Sequence, residues 1–297
     1  MPARDLPTIE IIDDTIENST LLKKGGTEVK VSLHKAILGA GPLGRSLADL
    51  LHGKWLGHPL HPVLTDITLG AWVSGVVLDL ASLATGRRRL SEAADTLVEL
   101  GTVSALSTGL AGMADYSAIK QDAVEYGAAH ALLNGSALAL FVASIRARRQ
   151  RKRDTGVALS LAGLGVSMLS AWLGGEMVYR LRVGTDHAKR ASQDEDWTPV
   201  LSAILLAEGE ARRVELHDEP VLLYRHNGAI LAVGAVCPHA GGPLDEGQFD
   251  GACVTCPWHD SVFDLRDGSV VHGPSTYNLP AYAVRVVNGQ IELRAAE

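Results

Sequence analysis

The chain has 297 residues, 34 acidic against 27 basic side chains, a formal charge of −7 and a mean hydropathy of +0.12 with 21% charged residues. That is too apolar for an ordinary soluble enzyme. Residues 199–297 hold 13 acidic and 6 basic side chains while residues 1–198 balance at 21 of each, so two modules of different character are expected, without the basic excess of a general nucleic-acid binder and with too few cysteines for a disulfide framework.

Residues 1–30 are polar and mixed and lack the apolar core of a signal peptide. Leu43, Leu47, Leu50 and Leu51 fall on one helical face with Arg45 and Asp49 off it, which predicts a short amphipathic helix lying on a membrane or against a helical bundle and completes an N-terminal segment of residues 1–57. His58-Pro59-Leu60-His61-Pro62 should then be extended, with His58 and His61 on one edge about 9 Å apart in polyproline geometry.

Residues 58–183 contain four apolar stretches, about 62–84, 97–113, 126–145 and 155–178, close to the roughly 20 residues that cross a bilayer. Asp66, Asp79, Glu99, His130 and Glu176 interrupt them, as they would in a buried soluble bundle. Against that stand the scarcity of Lys and Arg inside the runs and the small-residue stripes Gly101/Ala105/Gly109 and Gly163/Ser167/Ala171/Gly175. Arg87, Arg88 and Arg89 in the first loop and Arg146, Arg148, Arg149, Arg151, Lys152 and Arg153 in the third place those loops in the cytoplasm and both termini outside. Trp55, Tyr116, Tyr126, Trp172 and Tyr179 fall at the outer boundary, as an aromatic belt would. Toward that face lie His58, His61, His130, Asn134, Asp66 and Glu176. Such a cluster could hold haem b axially, with His61 and His130 as the candidate pair, could bind a quinol, or could be structural polar packing. Asp79 and Glu99, near the inner face, read as a hydrogen-bonded pair between helices.

After a polar linker at 184–198 the pattern becomes β. Runs at 221–224 and 230–233 flank Asn227-Gly228, runs at 262–265 and 269–271 flank Asp267-Gly268, and runs at 284–287 and 291–293 flank Asn288-Gly289, the turn chemistry of antiparallel hairpins. Two loops carry ligand chemistry: Cys237-Pro238-His239 and Cys256-Pro257-Trp258-His259. One Cys-x-His and one Cys-x-x-His suit a [2Fe-2S] centre in which two thiolates hold one iron and two imidazoles the other. A Cys2His2 zinc site is the competing reading, but Cys253-Val254-Thr255-Cys256 has no second pair of its kind.

Residues 199–297 resemble the Rieske [2Fe-2S] domain family on these loops and on His272-Gly273-Pro274 with Leu279-Pro280, which resembles the proline loop that covers the cluster. The resemblance implies Cys237 and Cys256 on the inner iron and His239 and His259 on the outer one. It departs from the disulfide-bearing Rieske proteins at Gly242 and Trp258, which stand where those have cysteines, and at Phe263, where those have a tyrosine; Ser261 keeps the hydroxyl donor. Only 38 residues follow His259, too few for the iron-bearing catalytic domain of a ring-hydroxylating oxygenase. Residues 51–62 and the four spans resemble an uncharacterised family of bacterial four-helix membrane domains, sometimes joined to a Rieske domain.

The expectation is a multidomain protein, a four-helix transmembrane α-bundle followed by an all-β Rieske-type domain, acting as a membrane-anchored one-electron carrier with redox proteins or quinone as partners and no nucleic acid. The alternatives are a membrane oxidoreductase acting on a quinol or other lipophilic substrate, with the Rieske centre as relay, and a redox-sensing or structural subunit.

Overall fold

The computed structural model describes residues 7–188 and 196–295; residues 189–195, within the expected linker, lie outside the described residues. The chain divides into two compact units, Met1–Gly39 with Leu60–Val183, and Ala40–Pro59 with Gly184–Glu297.

The first unit contains α1 (Pro7–Glu17), α2 (Thr20–Gly39), α4 (Leu60–Thr85), α5 (Arg88–Ser117), α6 (Val124–Arg149) and α7 (Arg153–Tyr179). Leu60–Thr85, Arg88–Ser117, Gln121–Arg149 and Arg153–Tyr179 are long and apolar enough to cross a membrane. The helices turn where the sequence stops them: Gly86 takes a left-handed φ of +67° after α4, and Arg151 takes +63° between α6 and α7. Pro62 sits in the first turn of α4, where its missing N–H costs no hydrogen bond. His61 is therefore helical, and the extended His58–Pro62 stretch expected from the prolines does not form, because α4 already starts at Leu60.

The unit keeps hydroxyls and charges inside, beside a small apolar core of Trp72, Val98 and Phe141, and turns large apolar side chains outward. Ile67, Val77 and Leu83 of α4 and Leu100, Val103, Leu106 and Leu110 of α5 are exposed, while Thr68, Asp79, Thr102, Ser144, Ser160 and Ser170 are buried. Water would penalise that arrangement and lipid favours it.

Around the bundle α4 packs on α5, α5 on α6, α6 on α7 and α7 on α4, so α4 and α6 lie on a diagonal. Three pairs of side chains meet across it. His61 faces His130 with ring centroids 6.3 Å apart, Trp72 stacks on Phe141 at 4.0 Å, and Asp79 ion-pairs with Arg148. Each pair joins positions 69 residues apart. Between α5 and α7 the offset is 62: a Cβ at Gly101 would strike Trp72 at 2.6 Å, and one at Gly163 would meet Phe141 at 3.0 Å. The α4–α5 and α6–α7 hairpins are thus two copies of one packing scheme about a pseudo-twofold axis, a repeat hidden by divergence at positions such as Asp79 and Arg148.

Asp79, 0% exposed, is bonded by Arg148 and also by Arg153 Nη2 at 2.5 Å; both arginines reach Asp95, at 2.6 and 3.0 Å. Glu99 instead meets Arg149 at 2.9 Å near the surface, so the expected Asp79–Glu99 pair does not form; guanidinium groups out-compete a second carboxyl for Asp79. Arg148 and Arg153 thereby tie α4, α5, α6 and α7 together at one end of the bundle.

α1 and α2 were not apparent in the polar N-terminal sequence. Ile16 is buried with Tyr126 and Leu173, and Tyr126 donates to Asp13 and Glu17 at 2.9 and 2.8 Å. Gly26 of α2 passes so close to Tyr116 that a Cβ there would lie 2.6 Å from its hydroxyl. Tyr116 and Tyr126 thus pack helices together instead of forming an aromatic belt, although Tyr179 is exposed.

The second unit joins α3 (Gly41–His52) to three sheets. Strands β1 (Thr198–Ser202), β10 (Gln290–Ala295) and β9 (Tyr282–Val287) form one, and β2 (Ala211–Leu216), β3 (Glu219–His226) and β4 (Ala229–Gly234) a second. The third, β5 (Gln248–Asp250), β6 (Cys253–Thr255), β7 (Val262–Asp264) and β8 (Val270–His272), carries the ligand-bearing region. All neighbours run antiparallel. The Asn-Gly turns hold left-handed φ, 52° and 78° at Asn227-Gly228 and 51° and 77° at Asn288-Gly289. β3 is buried on both faces: Leu222 and Tyr224 enter one core with Val254 and Phe263, while Val221 and Leu223 enter another with Ile291 and Leu293.

Asp79→Ala should destabilise the helical unit by about 3–5 kcal/mol because it leaves buried guanidinium charge under-compensated, read as a lower unfolding temperature in detergent. Asp79→Leu combined with Arg148→Met should recover most of that loss.

Candidate metal centre

Cys237 follows β4 and Cys256 follows β6, and the two loops close identically. Cys237 N–H donates to Gly242 O at 2.8 Å and Gly241 N–H returns to Cys237 O at 2.9 Å; Cys256 N–H donates to Ser261 O at 2.8 Å and Asp260 N–H returns to Cys256 O at 3.2 Å. The fifth residue of each loop is left-handed, Gly241 at φ +84° and Asp260 at +60°. Only the histidine differs in place, second after the cysteine in one loop and third in the other.

The cysteines are 1% and 2% exposed and their sulfurs meet. Cys237 keeps its proton because it donates to Cys256 and is buried, which pushes its pKa well up; the same hydrogen bond lowers Cys256 to about 7. The backbone N–H groups of His239 and Ala240 point at Cys237 Sγ, and those of Trp258 and His259 at Cys256 Sγ. That donor shell favours thiolate, the ligating form. The His239 and His259 rings stand 5.0 Å apart and near perpendicular at 84°, half-exposed but with both Nδ1 atoms shielded from solvent.

These residues fit a dinuclear group better than a single ion. Among the described residues no three His, Cys, Asp or Glu side chains gather around one ion, whereas a dinuclear centre with two thiolates on one iron and two imidazoles on the other would use this donor set in full. Gly242 shapes the cradle, since a Cβ there would lie 2.8 Å from Cys256 Sγ and 3.2 Å from the Trp258 ring.

Residues 196–283 match the family described as "Rieske [2Fe-2S] domain". The ferredoxin component of the p-cumate 2,3-dioxygenase system of Pseudomonas putida is 39% identical over 88 residues, 29% of this chain and 75% of that protein. The chain belongs to the Rieske [2Fe-2S] family. Residues 57–187 match a second family, described as "Predicted membrane protein (DUF2231)". Human apoptosis-inducing factor 3 is 33% identical over 39% of this chain, which spans only 19% of that protein's length. Among solved structures, the ferredoxin of carbazole 1,9a-dioxygenase from Nocardioides aromaticivorans IC177 is 25% identical over 34% of this chain and 98% of that one, with a TM-score of 0.33.

A Rieske domain implies a [2Fe-2S] cluster. The proline loop of this one is tied on two sides. Ser275 N–H donates to Ser261 Oγ at 3.0 Å, which leaves the Ser261 hydroxyl proton to point elsewhere. Asp49 of α3 accepts from Gly273 N–H at 2.8 Å and lies 2.8 Å from His272 Nδ1. Lys54 Nζ donates to Val271 O. The amphipathic helix expected at residues 43–51 therefore presents Asp49 and His52 to the Rieske domain while Leu43, Leu47 and Leu50 stay exposed. No sequence motif marks Asp49; its role depends on a loop more than 200 positions away. Phe263 is fully buried in the core, and Cys253 is a half-buried residue of β6.

Of the outer polar cluster, the structure brings together His61, His130 and Asn134, whose Nδ2 lies 3.0 Å from His130 Nε2. Asp66 is exposed and Glu176 is bonded to Arg180 at 3.1 Å. His58 is exposed, belongs to the other unit and contacts Pro59 O at 3.0 Å.

Gly242→Ala should lower the iron content of the purified chain sharply, because the added methyl must displace Cys256 Sγ or Trp258. Gly251→Ala, where a Cβ meets nothing within 4 Å but the backbone φ of +57° strains the β5–β6 turn, should cost a little stability and leave iron content unchanged. Iron and labile-sulfide assays of both variants check this.

Proposed function

We propose that this protein is a membrane-anchored one-electron carrier in which Cys237 and Cys256 hold the inner iron, and His239 and His259 the outer iron, of the Rieske cluster. The observation that carries the reading is the pair of equivalent loops, which present two buried sulfurs inside and two half-exposed imidazoles outside. The cluster supplies a one-electron couple when bound. The chain's own residues bury it, aim backbone N–H groups at its cysteine sulfurs and leave the histidine edge, beside the 53% exposed Trp258, open to a partner. A redox protein is the partner this edge suits, and the ferredoxin components among the relatives support it.

The Rieske domain faces outward in this proposal, because the arginine-rich ends of the spans lie on the other side. A quinol or other lipophilic donor belongs to the alternative in which the helical unit is itself an oxidoreductase. The His61–His130 contact favours that reading.

Alanine at Cys237, His239, Cys256 or His259 should abolish two irons and two labile sulfides per chain, and Cys253→Ser should spare them. Retention of the cluster in any of the four alanine variants contradicts the assignment. Cysteine introduced at Gln150 should be shielded from impermeant thiol reagents in intact cells and cysteine at Gln248 should react; the reverse pattern puts the Rieske domain in the cytoplasm.

Rieske potentials span about −150 to +300 mV. With seven net negative charges on residues 199–297, one serine hydroxyl and no tyrosine at Phe263, the midpoint should fall in the lower or middle part of that range. Redox titration at pH 7 checks this: Phe263→Tyr should raise the midpoint and Ser261→Ala lower it.

A further inference from the structure

The helical unit holds ligand chemistry that the carrier function does not use. His61 and His130 occupy equivalent places in the two hairpins, and their surroundings repeat as well. His61 Nδ1 lies 2.9 Å from Thr108 O, and His130 Nδ1 lies 2.9 Å from Ser170 O, each a backbone carbonyl on the other helix of the same hairpin. A carbonyl only accepts, so both Nδ1 atoms carry the proton and both Nε2 atoms keep a lone pair. A backbone carbonyl on the far nitrogen is also what orients a metal-ligating histidine. One turn beyond each carbonyl a glycine makes room for the ring: a Cβ at Gly112 would lie 3.0 Å from His61, and one at Gly174 would lie 3.2 Å from His130. The ring centroids are 6.3 Å apart with planes at 77°, close enough for two imidazoles whose Nε2 atoms turn toward a shared ion to bind it at about 2.0 Å each.

We propose that this pair forms the axial ligand set of an iron tetrapyrrole, a b-type haem, bound across the α4–α6 diagonal. Its purpose as a second one-electron centre rests on the membrane redox function proposed above, while its existence rests on the helical geometry alone. A bare ion is the poorer occupant. Among the described residues no third His, Cys, Asp or Glu joins the pair, so a transition ion would have two protein donors, whereas a tetrapyrrole brings four nitrogens of its own and needs two more. Asn134, now 3.0 Å from His130 Nε2, gives up that contact on ligation. The site lies about 16 Å along the helices from the Trp72–Phe141 stack and about 27 Å from the Asp79–Arg148 pair, so it sits toward the end of the bundle opposite the arginines.

The full chain, produced in cells supplied with 5-aminolaevulinate and purified in detergent, tests this. Pyridine haemochrome assay should find one haem b per chain, with the optical spectrum of a low-spin bis-imidazole iron and, from the near-perpendicular ring planes, a strongly anisotropic ferric EPR signal. His61→Gly and His130→Gly should each reduce haem content to background with the cluster EPR signal retained, added imidazole should restore binding, and His58→Ala should keep it. Absence of porphyrin absorbance in protein with a full cluster signal, including after titration with haemin, overturns the proposal and leaves the carrier function standing. Haem retained in both glycine variants, or stoichiometric zinc or copper in place of haem, also overturns it. Haem present with no cluster signal in wild-type protein supports this site and overturns the carrier function instead.

Discussion

Two cysteine sulfurs held against each other in a dry interior are the constraint on which the C-terminal unit depends. Burying one thiolate is costly and burying two adjacent ones more so, and the protein meets that cost with four backbone N–H groups, two to each sulfur. Those donors exist only because each loop reverses direction within five residues, which requires the left-handed Gly241 and Asp260. The core beneath, with Leu222, Val254 and Phe263, fixes the ends of the strands from which both loops spring. The rings of His239 and His259 stand half-exposed 5.0 Å apart, so in the proposed assignment they hold the side of the group nearest solvent and a partner.

The helical unit obeys the opposite rule. Its side chains turn hydroxyls, an ion-pair network and two histidines inward beside Trp72, Val98 and Phe141, and large apolar residues outward, which is stable in lipid because the inward charges and both histidines have partners on other helices. The pseudo-twofold axis explains the economy of that interior. One layer of the α4–α6 diagonal holds imidazoles, the next holds aromatic rings and the last holds opposite charges, and the glycines against the first two layers recur between the hairpins, Gly112 with Gly174 and Gly101 with Gly163.

Much of this was legible in the sequence because its causes are local. The four spans follow from run length, and the hairpins at Asn227-Gly228 and Asn288-Gly289 follow from residues that tolerate positive φ. The ligand loops follow from the spacing of Cys and His. What escaped depends on distant partners. Asp49 reads as an ordinary helix-surface carboxylate until it meets His272 and Gly273, and Tyr126 reads as an interfacial aromatic until it meets Asp13 and Glu17. α1 carries a short apolar face, Ile12 and Ile16 one turn apart, that is too brief to stand out among its acidic and hydroxyl neighbours until it meets Tyr126 and Leu173, and α2 buries few side chains. The hairpin repeat was accessible in principle, since aligning the chain on itself at an offset of 69 pairs His61 with His130 and Trp72 with Phe141, but the third pair, Asp79 with Arg148, changes sign and breaks the similarity.

The central claim is that a membrane helical unit and a mixed-ligand [2Fe-2S] centre form one electron-carrying chain. EPR of dithionite-reduced membranes containing the full protein tests it most directly. The account predicts a rhombic signal from one reduced cluster per chain, with an average g value below that of the free electron and nitrogen hyperfine coupling from two histidines, sedimenting with the membrane. A silent spectrum from membranes rich in the protein, or a cluster signal without nitrogen coupling, would contradict it.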